Sequence, residues 1–398
     1  MQKGYLIVSV HLENIGEPVA GATVTITGEN YEGVYTTNAV GKTVKIELAA
    51  PDIKYSLYPQ DDVKPYATYN IKVTKDGLNP NIINNVEILP TETSFQNVFM
   101  EKATGETNIT NLDEHDLWGD YPSKIPEDPI KPLRVLPNVI IPEYIIVHDG
   151  IPTSSATNYI VPFIDYIKNV ASSEIYSTWP VEAIKANVHA IVSFTQNRIF
   201  TEWYRSRGYN FTITSSPAYD QKYTPNRTIF QTISNIVDQY FQYYIRLSGM
   251  TQPFLAQYND GQKTNNPGWL SQWGSKTLAD QGYTAIQILR YFYTTNLSLY
   301  VAEEIIGLPN SFPGYNLQVG SCGSYVQKLQ VELNRIRGNY PAIPAISPAD
   351  GRYGDSTRRA VEAFQQNFDL PVTGIVDFAT WFKISYVFTA VAQLAAGV

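Results

Sequence analysis

Thr178-Trp-Pro-Val-Glu-Ala-Ile-Lys-Ala-Asn-Val-His-Ala-Ile-Val-Ser-Phe-Thr195 is the stretch around which the rest of the 398-residue chain can be organised. Pro180 suits a first helical turn, where its missing N–H costs nothing. Val181, Ile184, Val188, Ile191 and Thr195 recur at three- and four-residue spacing, the pattern of one buried helical face. Glu182 falls in the first turn, close to Trp179. Its plainest role is electrostatic, because acidic side chains are favoured at the positive end of a helix dipole. A catalytic acid is the sharper role, and it requires a raised pKa. Desolvation by Trp179, Val181 and Ala183 would raise it, while the helix N-terminus would lower it. His189 lies two turns on, about 10 Å away at ~1.5 Å per residue, and reads as structural. Lys185 reads equally well as a solvated lysine.

Outward from this helix, composition sets limits. A hydrophobic fraction of 43% with 17% charged residues describes a folded chain with ample core, and its length predicts two to four units. Up to Arg134 there are 19 acidic and 11 basic residues, and from Val135 onward 18 of each, so the net charge of −8 belongs to the N-terminal third. No basic face for nucleic acid is expected. Cys322 is the only cysteine, which excludes an internal disulfide and a thiolate zinc site. The four histidines, His11, His115, His148 and His189, lack ligand spacing, so neither metal nor cofactor is expected. The first ten residues do not read as a signal peptide, and no apolar run approaches the ~18 residues of a membrane span.

Residues 1–101 read as β. Leu6–Leu12, Ala22–Thr27, Thr43–Leu48 and Tyr69–Thr74 alternate apolar with polar residues, separated by turns at Gly16–Pro18, Gly28–Asn30, Gly33, Gly41 and Asp76–Gly77. A small antiparallel sandwich is expected. Residues 102–142 are acidic and then proline-punctuated, the mark of an exposed, protease-sensitive linker, with Arg134–Val135 as its natural scissile bond. Residues 143–310 mix a strand at Asn210–Thr214 with helices at Ile229–Phe241 and Gly282–Tyr293. Residues 317–390 carry amphipathic helices at Val326–Ile336 and Thr357–Phe368.

Four resemblances follow. Gly16-Glu-Pro-Val-Ala-Gly-Ala-Thr-Val24, with the turn at Thr36–Gly41 and Tyr69…Lys75-Asp-Gly77, resembles carboxypeptidase-regulatory or transthyretin-like sandwiches. Gly323…Val326-Gln-Lys-Leu-Gln330, Asp350-Gly-Arg-Tyr-Gly354, Phe364-Gln365, Gly374-Ile-Val376 and Thr380-Trp381 resemble type 1 peptidoglycan-binding domains. Trp179–Ala190, Asp220-Gln-Lys-Tyr223 and Leu270-Ser-Gln-Trp-Gly274…Ile288–Tyr293 follow, in order, the motifs of lytic transglycosylase domains of the stage II sporulation protein D type. The whole order resembles the clostridial-type spore cortex-lytic enzymes, and Val135-Leu-Pro137 is similar to their mature N-terminus. Asp220 stands where the transglycosylase family has cysteine, so the zinc of some relatives is not expected.

These resemblances imply a multidomain fold: an N-terminal all-β sandwich prodomain, a central α+β catalytic domain and a small C-terminal three-helix peptidoglycan-binding domain. They imply a spore cortex-lytic enzyme, located in the cortex or coat region and activated when a serine protease cuts the linker at Arg134–Val135 during germination. Glu182 would be the catalytic residue, with Gln221, Tyr223, Ser271, Gln272 and Trp179 binding substrate. One carboxyl suffices for such a reaction, since it yields a 1,6-anhydro-muramic product without external water, unlike ordinary two-carboxylate glycosidases. The alternative is a non-catalytic peptidoglycan-binding or spore-coat structural protein on a decayed enzyme scaffold.

Overall fold

The N-terminal alternation builds two sheets whose inner faces meet. In the computed structural model, which describes residues 2–12, 17–58, 63–115, 117, 136–305 and 312–396, they are formed by β1 (Gln2–Leu12), β2 (Thr23–Gly28), β3 (Tyr31–Thr36), β4 (Ile46–Ala50), β5 (Ala67–Thr74), β6 (Asn81–Ile88), β7 (Thr93–Met100) and β8 (Asn108–Asn111), with a single helical turn α1 (Lys54–Leu57). One sheet runs β7-β1-β4 and the other β3-β2-β5-β6-β8. Every second residue points inward, so Leu6, Val8 and Val10 of β1 pack on Val24 and Ile26 of β2 and on Ile46 and Leu48 of β4. β1 pairs with β7 in parallel and β6 with β8 in parallel, so the sandwich is not purely antiparallel. Four strands, β3, β6, β7 and β8, were not among the expected segments. Gly33 reads as a turn yet lies inside edge strand β3, where the Tyr31 and Tyr35 side chains occupy the space a Cβ would need. Asn108–Asn111 reads as linker yet forms β8, because pairing with β6 supplies what four polar-flanked residues could not. Arg134 and Val135, the expected cleavage site, lie outside the described residues.

The central unit is organised around one helix. It comprises β9 (Ile140–Ile141), β10 (Tyr144–His148), β11 (Asn158–Pro162), α2 (Phe163–Glu174), α3 (Val181–Phe200), β12 (Ile213–Thr214), β13 (Ile229–Phe230), α4 (Gln231–Tyr240), β14 (Tyr243–Leu247), β15 (Tyr258–Asn259), β16 (Leu270–Ser271), α5 (Gln272–Asp280), α6 (Ala285–Phe292), β17 (Leu297–Val301) and β18 (Glu304–Ile305). α3 is surrounded by α2, α4, α5, α6 and β14, which pairs antiparallel with β17. All its residues are buried except Val181, Glu182, Lys185 and Ile199. The expected single apolar stripe is therefore too narrow, and Val181, placed on it, is half exposed. Several polar positions enter the core with backbone partners: Ser193 Oγ reaches the carbonyls of Ile245 and Phe254 (both 2.9 Å), and Asn197 Nδ2 donates to that of Pro253 (2.8 Å).

α7 (Ser324–Ile336), α8 (Asp355–Asn367) and α9 (Phe378–Ala396) form the C-terminal unit around Leu329, Leu333, Val361, Phe364 and Trp381. Two glutamines clamp its loops. Gln330 Nε2 donates to Arg352 O (2.9 Å) and its Oε1 accepts from Gly351 N (2.9 Å). Gln365 accepts from Thr373 N and Gly374 N (both 2.9 Å), and its Nε2 lies against Ile375 O, Thr373 Oγ1 and Thr380 Oγ1 (2.9–3.1 Å). Gly351 has φ +74°, and a Cβ there would sit 3.0 Å from the Gly323 carbonyl, so the turn admits no side chain.

The sandwich is docked on the central unit. β13 pairs antiparallel with β7, lengthening the β7-β1-β4 sheet by a strand from the other unit. Arg227 Nη2 meets Glu87 Oε2 at 2.7 Å, and His115 Nδ1 lies 3.3 Å from the same oxygen, all three side chains being buried. Tyr66, Leu89 and Leu117 belong to the central apolar core rather than to that of the sandwich.

Candidate active site

Glu182 occupies the second residue of α3, after Pro180 at the N-cap (φ −54°, ψ 141°). Its Oε1 accepts from Lys185 Nζ (2.9 Å) and its Oε2 from the backbone N–H of Ala285 (2.7 Å), the first residue of α6. The carboxylate therefore faces the N-termini of two helices, both favouring negative charge. Partial burial raises its pKa, but the Lys185 and Ala285 hydrogen bonds, with the charges of Lys185 and His189, outweigh that and hold it below the ordinary carboxylate value. The opposition anticipated from sequence is thus decided for the ionised form by a lysine and by a second helix. His189 is buried, its Nδ1 3.5 Å from the Tyr243 carbonyl, and burial pushes its pKa down to about 4. It is neutral near pH 7.

Trp179 is buried, and its indole N–H donates to Ser56 O of α1 (2.8 Å), while Thr178 Oγ1 lies 2.8 Å from Ser56 Oγ. Its ring packs on Trp273 (4.9 Å) and Tyr176 (5.8 Å). The sandwich thereby occupies the one polar atom of a residue assigned to substrate. Next to it, Lys276 stands 4.8 Å from the ring of Tyr58.

The remaining assigned residues divide into two groups. Ser271 and Gln272 stay with the aromatic cluster: Ser271 is the N-cap of α5, accepting from Gly274 N (2.9 Å), and Gln272 is only 1% exposed. Gln221 and Tyr223 are elsewhere. Gln221 is fully buried, with Oε1 against Tyr166 Oη (3.1 Å) and Thr195 Oγ1 (2.8 Å) and Nε2 donating to Ile191 O (3.2 Å). Ile191 is nine residues beyond Glu182, about 14 Å along the helix. Tyr223 stacks on Tyr166 (5.7 Å) and lines a cavity of 440 Å³ that does not include Glu182. Asp220 is fully engaged as a scaffold carboxylate, taking Arg198 Nε (2.8 Å), Tyr204 Oη (2.7 Å) and the Thr214 N–H (2.9 Å).

Glu174, at the end of α2, escaped sequence reading. Fully buried, it accepts from the Lys222 N–H (2.9 Å), from Gln272 Nε2 (3.3 Å) and from Tyr258 Oη (3.4 Å). It ties the 220–223 segment to the 270–272 segment. A lone acid after two serines carries no signal of that role. Among the described residues, no group of three or more His, Cys, Asp or Glu is arranged to hold a metal ion, and no helix is long and apolar enough to cross a membrane.

Residues 322–384 match the family of peptidoglycan binding domains. The C-terminal unit is a peptidoglycan-binding domain. The chain is thus a multidomain, cell-wall-related protein with an N-terminal β-rich region and this helical wall-binding domain near its C-terminus. No curated protein matches the chain. Similar solved structures include the Bacillus anthracis TIE protein (19% identity over 26% of this chain and 17% of that one, TM-score 0.20). A type II cohesin–X-dockerin complex from Acetivibrio cellulolyticus (15% identity, 26% and 64%, TM-score 0.17) and Klebsiella pneumoniae 5-hydroxyisourate hydrolase (15%, 25% and 91%, TM-score 0.17) also match. This chain spans less than two thirds of the first two.

Proposed function

We propose that the chain is a peptidoglycan lytic transglycosylase of spore cortex, made as a proenzyme and activated by a serine protease in the linker. The observation that carries this reading is Glu182, a part-exposed carboxylate at the head of an otherwise buried helix, in a chain with a wall-binding domain. In the reaction, the Glu182 carboxylic acid protonates the glycosidic oxygen as the MurNAc C1–O bond breaks. The resulting carboxylate then takes the proton of the muramic C6 hydroxyl as O6 closes on C1, giving the 1,6-anhydro sugar. The donor step needs a protonated Glu182, whereas the resting carboxyl is held low by Lys185 and Ala285 N–H. Substrate must therefore displace at least one of them. The contacts of Ser56 with Thr178 and Trp179 support the sandwich as the restraint in the uncut chain.

Digesting cortex with protein that starts at Val135, and weighing the fragments by mass spectrometry, tests the reaction. Anhydro-muramic ends are expected; hydrated reducing ends would refute it, and Glu182→Gln with undiminished activity would refute the acid. Equal rates from uncut and cut chains would remove inhibition by the sandwich.

The second reading, a non-catalytic peptidoglycan-binding or coat protein, is favoured by the ion-paired Glu182 and by Gln221 lying in the core. Sedimentation with cortex and no released fragment, before and after cleavage, is its signature.

A further inference from the structure

Two cavities, of 310 and 440 Å³, lie where the sandwich, the central unit and the wall-binding domain meet. Asn97, Phe99, Phe368, Asp369 and Lys383 line both, so the two adjoin in one cleft region. Each is within the size range of small-ligand pockets.

Most charges of the cleft are already matched. Lys42 Nζ meets Asp369 Oδ2 at 2.7 Å, Lys168 Nζ meets Asp238 Oδ1 at 2.7 Å, and Arg227 is taken by Glu87. Two are not. Lys383 has no carboxylate within ion-pairing distance among the described residues, and its ammonium lies 5.5 and 5.9 Å from the rings of Tyr386 and Phe368. Asp165, on the first turn of α2, forms neither hydrogen bond nor ion pair among the described residues and lines the larger cavity with Lys383. A helix N-terminus favours the Asp165 charge without neutralising it. Burial lowers the pKa of Lys383 despite the opposing charges of Asp165, Asp238 and Asp369, so an anion in direct contact would favour its charged form.

We propose that this cleft is a binding site for the zwitterionic peptide stem of peptidoglycan, with a stem carboxylate on Lys383 and a stem ammonium on Asp165. A strand of N-acetylglucosamine carries no charge for either group, and a bare muramic strand carries only carboxylates, whereas an ammonium and a carboxylate facing one cavity select a ligand that bears both. The wall-binding domain supplies Lys383 and α2 supplies Asp165, so the site exists only while the units stay docked. The inference rests on peptidoglycan binding by the C-terminal domain and is independent of catalysis.

Isothermal titration of the full chain with synthetic L-Ala-γ-D-Glu-meso-diaminopimelate, and separately with chitotetraose, tests it. Binding of the tripeptide alone is expected, weakened about tenfold or more by Lys383→Met and by Asp165→Asn. Asp165→Asn is at a part-exposed site and carries the test if Lys383→Met disturbs α9 in circular dichroism. Chitotetraose binding as tightly as the tripeptide, or both variants binding like the parent chain, overturns the proposal. Absence of tripeptide binding overturns the cleft alone if the chain still sediments with purified peptidoglycan. If sedimentation fails too, the wall-binding reading falls with it.

Discussion

Glu182 was legible as a candidate and illegible in its state. Its place in a first turn follows from the periodicity of α3, but Lys185 at i+3 and the Ala285 N–H, 103 residues on, decide its protonation. Lys185→Met removes both a hydrogen bond and a charge and leaves burial in place. The Glu182 midpoint should therefore rise, as read by carbon-13 NMR of the labelled carboxyl; an unchanged midpoint would mean that Lys185 does not set it. His189 gives a second titration with the sign worked out. Its folded pKa, about 4, is below the unfolded value of 6.5, so the unfolded chain takes up the proton first. Its contribution is complete above pH 6.5, shrinks as pH falls toward 4 and changes no further below that. At about 1.4 kcal/mol per pH unit the full loss is about 3 kcal/mol. His189→Gln should flatten the decline of thermal stability across that window. Gln221 marks the limit of motif reading, since a matching residue type in a matching order says nothing about which wall of α3 it meets.

At the scale of elements, the amphipathic helices that were expected were read nearly to their ends, whereas α2 and α5 were not expected as helices. α7 begins two residues before the expected Val326 and α8 two before Thr357. The short strand β13 was not read as one, since Ile229–Phe230 was expected to open a helix and its extended form depends on pairing with β7. Asn210–Thr214 was expected to be extended throughout, yet only Ile213–Thr214 pairs, in parallel with β10. Gln330 of α7 and Gln365 of α8 each hold a loop. Their motif positions resembled wall-binding domains, and the geometry explains them as loop clamps rather than glycan contacts. Gln365→Ala would strand the Thr373 and Gly374 N–H groups and should cost about 2–4 kcal/mol, read by chemical denaturation of the wall-binding domain. Gln365→Glu, which keeps the two accepted bonds, should cost less. Equal losses would mean that the amide donor carries the clamp.

The units are joined by buried polar contacts as well as by apolar ones. Glu87, with its side chain 1% exposed, is held between Arg227 and His115. Arg227→Met would leave that carboxylate buried beside a histidine that burial keeps neutral, at a cost of about 3–5 kcal/mol. Calorimetry should then show the sandwich melting in a separate, earlier transition; a single transition at the original temperature would mean that the ion pair does not hold the units together. Composition and local pattern determined what depends on neighbours along the chain: strand alternation, helix periodicity, the charge division near Arg134 and the wall-binding motif. Tertiary structure alone decided that α3 is buried on all sides, that Gln221 faces away from Glu182, that Ser56 caps Trp179 and that Lys383 and Asp165 line one cleft. Those outcomes are contacts between residues far apart in the chain, and periodicity places a side chain on its own element without saying what stands opposite.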